Sequence, residues 1–348
     1  MIYSITSQKD ATIYSDIKDL NTGLDEILEI KKSKYQLLEG GQEILSNNFF
    51  LSRILVQFDL NKIPSGLVNP QYFLKLYSTE TKESRISYEL KATLLSRSWD
   101  NGYGSKFSSP KITEGVTWLT SSSDNGIGWN NLGGDTGSIV CSQSFNFETA
   151  DINMDVTSIV NSWTNNTNTN YGFLIYFSSS IENNTIDYGR LNFYSKETNT
   201  IYQPLLQIKW NDFSFSTGSL SSLNLSSDIE IFIKNIKTEY KQLEKVRFNV
   251  FCRERFPSKV FSSTPRYLNV QYLPTSSYYS IQDAHTEEVI VPFDDTYTKI
   301  SCTSSGNYFD FWFNGLHPER YYKILLKVND ENKTSRIFDN KYIFKIVR

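Results

Sequence analysis

Apolar and polar residues alternate along most of this chain. In Arg53–Leu60, Ile54, Val56 and Phe58 alternate with Arg53, Leu55, Gln57 and Asp59, the period-two pattern of a strand with one strongly apolar face. Val246–Cys252 repeats it, with Val246, Phe248 and Val250 on one side. Ser4–Tyr14, Phe73–Tyr77, Ile86–Leu95, Tyr171–Phe177, Tyr188–Ser195 and Leu205–Trp210 read as further strands. So do Ile229–Ile236, Glu287–Phe293, Tyr308–Phe313, Tyr321–Val328 and Tyr342–Val347. Glu26–Leu38 is mixed, because Ile27, Leu28 and Ile30 settle on no single period; it is read as a strand. One segment differs. Val156, Ile159, Val160 and Trp163 fall at i, i+3, i+4 and i+7, which predicts an amphipathic helix over Asp155–Trp163. Asp155 is placed to accept the first N–H groups, and the polar run Thr164–Asn170 ends the helix. So short a helix is marginal alone, so burial of its apolar face must hold it.

Turn-forming residues divide these elements. Trp99–Gly134 is loop-dominated, with SWDNGYG, a Ser/Thr run at Thr120–Ser123 and NGIGWNNLGGD; its tryptophans are expected to anchor the connection. The Ser-rich stretch 211–227 is the linker expected between a first domain, 1–210, and a second, 228–348. Leu316, Pro318 and Tyr322 precede the strand YYKILLKV with the spacing of a tyrosine corner, found in fibronectin-type and immunoglobulin-like sandwiches. No internal repeat links the halves.

Composition agrees with an all-β chain of about two domains. Of 348 residues, 22 are Tyr and 23 are Phe, types that favour pleated, half-buried surfaces. The net charge of −3 comes with no long block of one sign, so neither nucleic acid nor a membrane surface is an expected partner. No apolar run approaches the roughly 18 residues of a membrane span, and MIYSITSQKD lacks the marks of a secretory signal. Cys141, Cys252 and Cys302 are far apart and odd in number, which suits reduced thiols in a protein made in a reducing cytoplasm.

Catalytic patterns are sparse. His285 and His317 lie in separate segments without a Cys or second His nearby, and no nucleophile elbow, phosphate loop or zinc-protease motif occurs. The acidic pairs Glu287-Glu288 and Asp294-Asp295 are adjacent residues, and on a strand such neighbours face opposite ways. They make a poor glycosidase pair. Asp124, Asn125, Asn130, Asn131 and Asp135 offer oxygens for calcium, but their spacing matches no EF-hand loop and turn chemistry explains them. The aromatic group Trp99, Tyr103, Trp118 and Trp129 is either a set of buried loop anchors or a sugar-stacking platform. No metal or cofactor is expected, and the chain is expected not to be an enzyme.

The ordered series Leu51–Trp210 resembles the DNRLRE-type module, a jelly-roll-like sandwich related to carbohydrate-binding modules. The match rests on Ser52, Arg53, Leu55, Phe58, Asp59 and Leu60 in one strand, and on Leu74, Leu76 and Tyr77 in the next. It continues with Trp129, Gly133, Gly134 and Asp135 in the loop, Asp155, Val156, Thr157, Val160 and Trp163 in the helix, and Asn170 to Phe173 after it. The sequence departs from the pattern before its last strand, where Gln203-Pro204 stands in place of Arg-Pro after Ser195–Glu197. The second half is similar to the C-terminal region of structural proteins of contractile-tailed phages, especially marine ones. Lys241–Pro257, Gln271–Asp294, Ser305–Val328 and Ile337–Arg348 carry that likeness.

These resemblances imply a jelly-roll-like sandwich with one short helix, followed by an immunoglobulin- or fibronectin-like sandwich. They imply a virion component of neck, tail or baseplate, made in the host cytoplasm. It would be present in several copies and dock other virion proteins, with the strand bearing Tyr342 and Phe344 as an interface element. The alternative is an adhesin module that recognises a host glycan through Trp99, Tyr103, Trp118 and Trp129.

Overall fold

The structure is a computed structural model and describes residues 1–79, 86–122, 126–146, 151–234, 236–256, 270–329 and 334–348. It is an all-β molecule of β-sandwich type with one helix longer than a single turn among the described residues. The chain forms two compact units. The first comprises Ile5–Ser65 and Gln71–Gln207; the second comprises Ile208–Arg348 together with Met1–Ser4 and Gly66–Pro70.

The first unit is organised by the long strand Glu43–Phe58. Its second half pairs antiparallel with Ile2–Tyr14 on one side and Phe173–Phe177 on the other. Its first half pairs instead with Ile27–Leu37, which in turn pairs with Gly189–Tyr194. Tyr88–Leu95 and Thr136–Phe145 extend the sheet beyond Phe173–Phe177. Leu55, expected on the polar side of its strand, is as buried as Ile54 and Val56, because both faces of the strand are covered. The ambiguous segment Glu26–Leu38 is a strand, Ile27–Leu37. Thr136–Phe145 and Ile152–Asp155 are strands that the alternation pattern did not single out.

The helix spans Thr157–Thr164, starting two residues later than the spacing predicts. Asp155 still serves its start: its Oδ1 accepts the Thr157 N–H at 2.9 Å. The apolar face behaves as expected, with Val156, Ile159, Val160 and Trp163 all buried. Trp163 meets Phe173 edge to face, ring centroids 4.7 Å apart.

The second unit is a two-sheet sandwich. One sheet runs Ile229–Lys234, Lys245–Glu254, Gly306–Trp312, Ser301–Thr303; the other runs Glu239–Lys241, Ser335–Val347, Tyr321–Asn329, Ser277–Asp283, Val289–Val291. Ile231, Val250 and Phe309 of the first sheet and Ile281, Ile324 and Phe344 of the second belong to one apolar core. Tyr279 stacks on Phe309 with centroids 4.2 Å apart. The tyrosine corner forms: the Tyr322 phenol accepts the His317 N–H at 2.8 Å and donates to the His317 carbonyl at 3.2 Å. Burial pushes the Tyr322 phenol up to about 12, against the pull of the His317 backbone bond.

The Ser-rich stretch is folded onto this unit. The Cys302 N–H bonds the Ser214 carbonyl, the Ser216 N–H bonds the Cys302 carbonyl, and Leu223 is buried in the core. Ser221–Ser222 forms a short parallel ladder with Gln271–Tyr272.

Candidate functional site

The aromatic platform does not form, because its tryptophans lie inside. Trp99, Trp118 and Trp129 are 1%, 6% and 6% exposed and share one core with Ala11, Ile13, Leu55 and Leu174. The Trp99 indole donates to the Tyr171 carbonyl at 2.8 Å and that of Trp129 to the Thr117 carbonyl at 2.9 Å. Only Tyr103 of the group is exposed. Buried indoles satisfied by backbone carbonyls are loop anchors, so they present no face to a sugar. Arg53 completes this arrangement: it forms a bidentate pair with Glu182, bonds the Gly133 carbonyl at 3.0 Å and lies over the Trp118 ring. Gly133 has φ +85°, and a Cβ there would lie 2.8 Å from Trp118. The glycine is therefore required by packing.

Among the described calcium candidates, Asp135, Asn130 and Asn131 are joined by turn chemistry. The Asp135 carboxylate accepts the N–H groups of Asn130 and Asn131 at 3.0 and 2.8 Å and pairs with Arg97 at 3.3 Å. Asp124 and Asn125 lie outside the described residues. Asp294 accepts the N–H groups of Thr296 and Tyr297, and Glu287 pairs with Lys323 at 3.2 Å. The strand bearing Tyr342 and Phe344 is not a sheet edge at its C-terminal end, where it pairs with Tyr321–Asn329 and, in parallel, with Glu239–Lys241. Phe344 is 0% exposed and the Tyr342 hydroxyl accepts the Ile233 N–H, so both side chains hold the sandwich together. Cys252 and Cys302 are buried free thiols and Cys141 is half-buried. Burial pushes the Cys252 thiol up to about 12, which suppresses its thiolate.

Charged residues converge elsewhere, in the first unit. Pairing of Ile27–Leu37 with Gly189–Tyr194 sets Glu29 opposite Asn192 and Lys31 opposite Arg190. The two-residue period puts Leu28 and Ile30 on the opposite face, where both are buried. The Trp-rich loop supplies Lys106. Its backbone N–H bonds both oxygens of Asp25 at 3.0 Å, and its ammonium reaches Glu29 Oε2 at 2.9 Å. Arg190 Nη1 approaches the same Glu29 oxygen at 3.8 Å, and Arg190 also pairs with Glu43. Beside them, Lys31 and Asp16 form an ion pair at 2.6 Å with both side chains fully buried.

A cleft of about 480 Å³ opens at this network, lined by Tyr14, Asp25, Glu29, Phe107, Arg190 and Asn192 among others. Burial pushes the Asp25 carboxyl up to about 6, against the pull of the Lys106 N–H and the Ser105 hydroxyl. Glu29 is only 3% exposed, and its Oε1 has no hydrogen-bond partner within the protein; the same holds for Asn192 Oδ1. None of these residues was singled out from sequence. The signal lay in EILEIKK, where Glu29 and Lys31 share one face of a strand whose other face is apolar. That face would ordinarily be solvated; here Lys106 of the loop meets Glu29, and Asp16 meets Lys31.

Compared with known proteins, the chain matches no family model and none of the curated proteins.

Proposed function

We propose that this chain is a non-enzymatic structural protein of a contractile-tailed phage particle. It serves as an adaptor or decoration of neck, tail or baseplate and is built in several copies into the virion. The resemblance carried by Lys241–Pro257 through Ile337–Arg348 supports the setting. One structural observation supports docking: the outer face of the five-stranded sheet in the second unit. There Val289, Gln282, Lys323 and Ile343 form one cross-strand row, and Tyr278, Lys327 and Ile337 another. Val289, Ile337 and Ile343 are 49%, 58% and 46% exposed. Large exposed apolar side chains on one sheet face suit an apolar patch on a protein partner, while Lys323 of the same row is already paired with Glu287 and Asp339.

Mass spectrometry of purified particles, with copy number, tests this in phage carrying the parent gene or the Ile337→Asp/Ile343→Asp variant. The parent chain should appear at a defined copy number. The variant, altered only at exposed positions, should fold with parent stability to within about 1 kcal/mol and be depleted from particles. Absence of the parent chain from particles ends the structural reading. Full incorporation of the variant removes this face as the docking surface.

A further inference from the structure

We infer that this chain pairs with a second copy of itself through the strand Thr136–Phe145, as a two-fold, antiparallel extension of the first unit's sheet. This is independent of the virion role proposed above. The strand stands last in its sheet and pairs on one side only, with Tyr88–Leu95. The Leu95 N–H bonds the Gly172 carbonyl and the Ser178 N–H bonds the Glu89 carbonyl. The odd-numbered residues of Tyr88–Leu95 thus turn their backbone groups toward the strand Phe173–Phe177. The even-numbered Leu90 and Ala92 bond the other way, to Gln143 and Cys141. Alternation then directs the N–H and C=O of Val140, Ser142 and Ser144 out of the sheet. All three residues are exposed, and among the described residues none takes up those outward groups.

The other strands that end these sheets are covered or short. Ile229–Lys234 gives outward groups to the Asn340 amide and the Tyr342 hydroxyl. Ser301–Thr303 is bonded by Ser214 and Ser216, and Gly189–Tyr194 by Tyr77 and Thr79. The Gln143 side chain spans the Asp151 carbonyl and the Asn153 N–H at the edge of Ile152–Asp155. Val289–Val291 and Glu239–Lys241 have three residues each. Thr136–Phe145 has ten, and its sequence TGSIVCSQSF holds no charged residue and no proline. A long edge without these guards is a template for another strand.

Charge and pattern select a second copy as that strand. An uncharged segment meets itself without repulsion. The outward groups must face one another across the new ladder, so a two-fold axis at Val140 satisfies them. It sets Val140 opposite Val140 and Ser138 opposite Ser142, and on the other face Ile139 opposite Cys141. Apolar residues there meet apolar ones and serine meets serine, whereas an axis at Ser142 would set Val140 against Ser144. Val140 is 47% exposed in the single chain, so the pairing also removes apolar surface from water.

Sedimentation velocity of the full chain over a concentration series tests this. The parent should approach the mass of a dimer as concentration rises. Val140→Lys and Val140→Glu each set like charges opposite one another at the axis and should weaken association about tenfold or more. Both alter an exposed side chain, so their melting temperatures should match the parent's. Mixing the two variants pairs Lys with Glu and should restore the dimer, which misfolded chains could not do. Three results overturn the inference: a parent that stays monomeric throughout, a Val140→Lys variant that associates as the parent does, or a mixture that stays monomeric. The first is also the outcome expected if this edge takes a strand from a different protein. Purified chain suffices for these measurements, so their outcome is separate from presence in particles.

Discussion

At the scale of single residues, the first unit is unusual for the charge it buries. Asp10 is 2% exposed; its Oδ2 accepts the Lys196 N–H at 2.8 Å and the Ser7 hydroxyl at 3.2 Å. The Ser195–Glu197 segment thus acts as a latch onto Ile2–Tyr14 through its backbone. Burial pushes the Asp10 carboxyl up from 3.8 to about 7, outweighing those hydrogen bonds. A carboxyl held above its unfolded value is favoured in its neutral form. Its contribution is fully present below the unfolded value of 3.8 and is lost as pH rises through about 7. Asp25, raised to about 6, acts in the same direction. Thermal melts should therefore show the protein more stable near pH ~5 than near pH ~8. Asp10→Asn should exceed the parent by a margin that widens as pH rises from ~5 to ~8. Parallel pH profiles for the two proteins would count against this account.

At the scale of elements, the helix Thr157–Thr164 shows how packing rescues a marginal segment. Its turns are too few for stability alone, and burial of Ile159, Val160 and Trp163 supplies the rest. Trp163 is 4% exposed, and its indole N–H has no partner within the protein, so the ring contributes through packing on Phe173 rather than through a hydrogen bond. Trp163→Ala should cost about 3–5 kcal/mol in denaturant unfolding. Trp163→Phe should cost much less, because it gives up no hydrogen bond made within the protein. Similar losses in the two variants would mean that the indole edge matters in a way the packing does not explain. The tyrosine corner is the counterpart in the second unit, where Tyr322 fixes the chain before Tyr321–Asn329 by two bonds to one residue.

At the scale of the whole molecule, the boundary between units is not a single cut in the sequence. Ile2 belongs to the core of the second unit, and the Tyr3 hydroxyl accepts a bond from Asn314. A fragment beginning at Ile208 lacks both. It should melt at a lower temperature than the same sandwich in the full chain, followed by near-ultraviolet circular dichroism of its aromatic core. Equal melting temperatures would show that the first four residues add nothing to that core.

Much of the fold was legible in the sequence because alternation is a local property. Val246–Cys252, Tyr321–Val328 and the helix at Trp163 all announce which residues are apolar, and burial follows from that. Leu316, Pro318 and Tyr322 likewise marked a corner, since its hydrogen bonds span only a few residues. The tertiary structure decided what local pattern cannot. It buried Trp99, Trp118 and Trp129, whose exposure depends on which strands a long loop crosses. It placed Phe344 inside a sheet by adding Glu239–Lys241 from far away in the chain. It also gathered Glu29, Lys106, Arg190 and Asn192, each unremarkable in its own segment, around one cleft. Charges become a site only when strand register and a covering loop remove them from water together, and those are long-range consequences of folding.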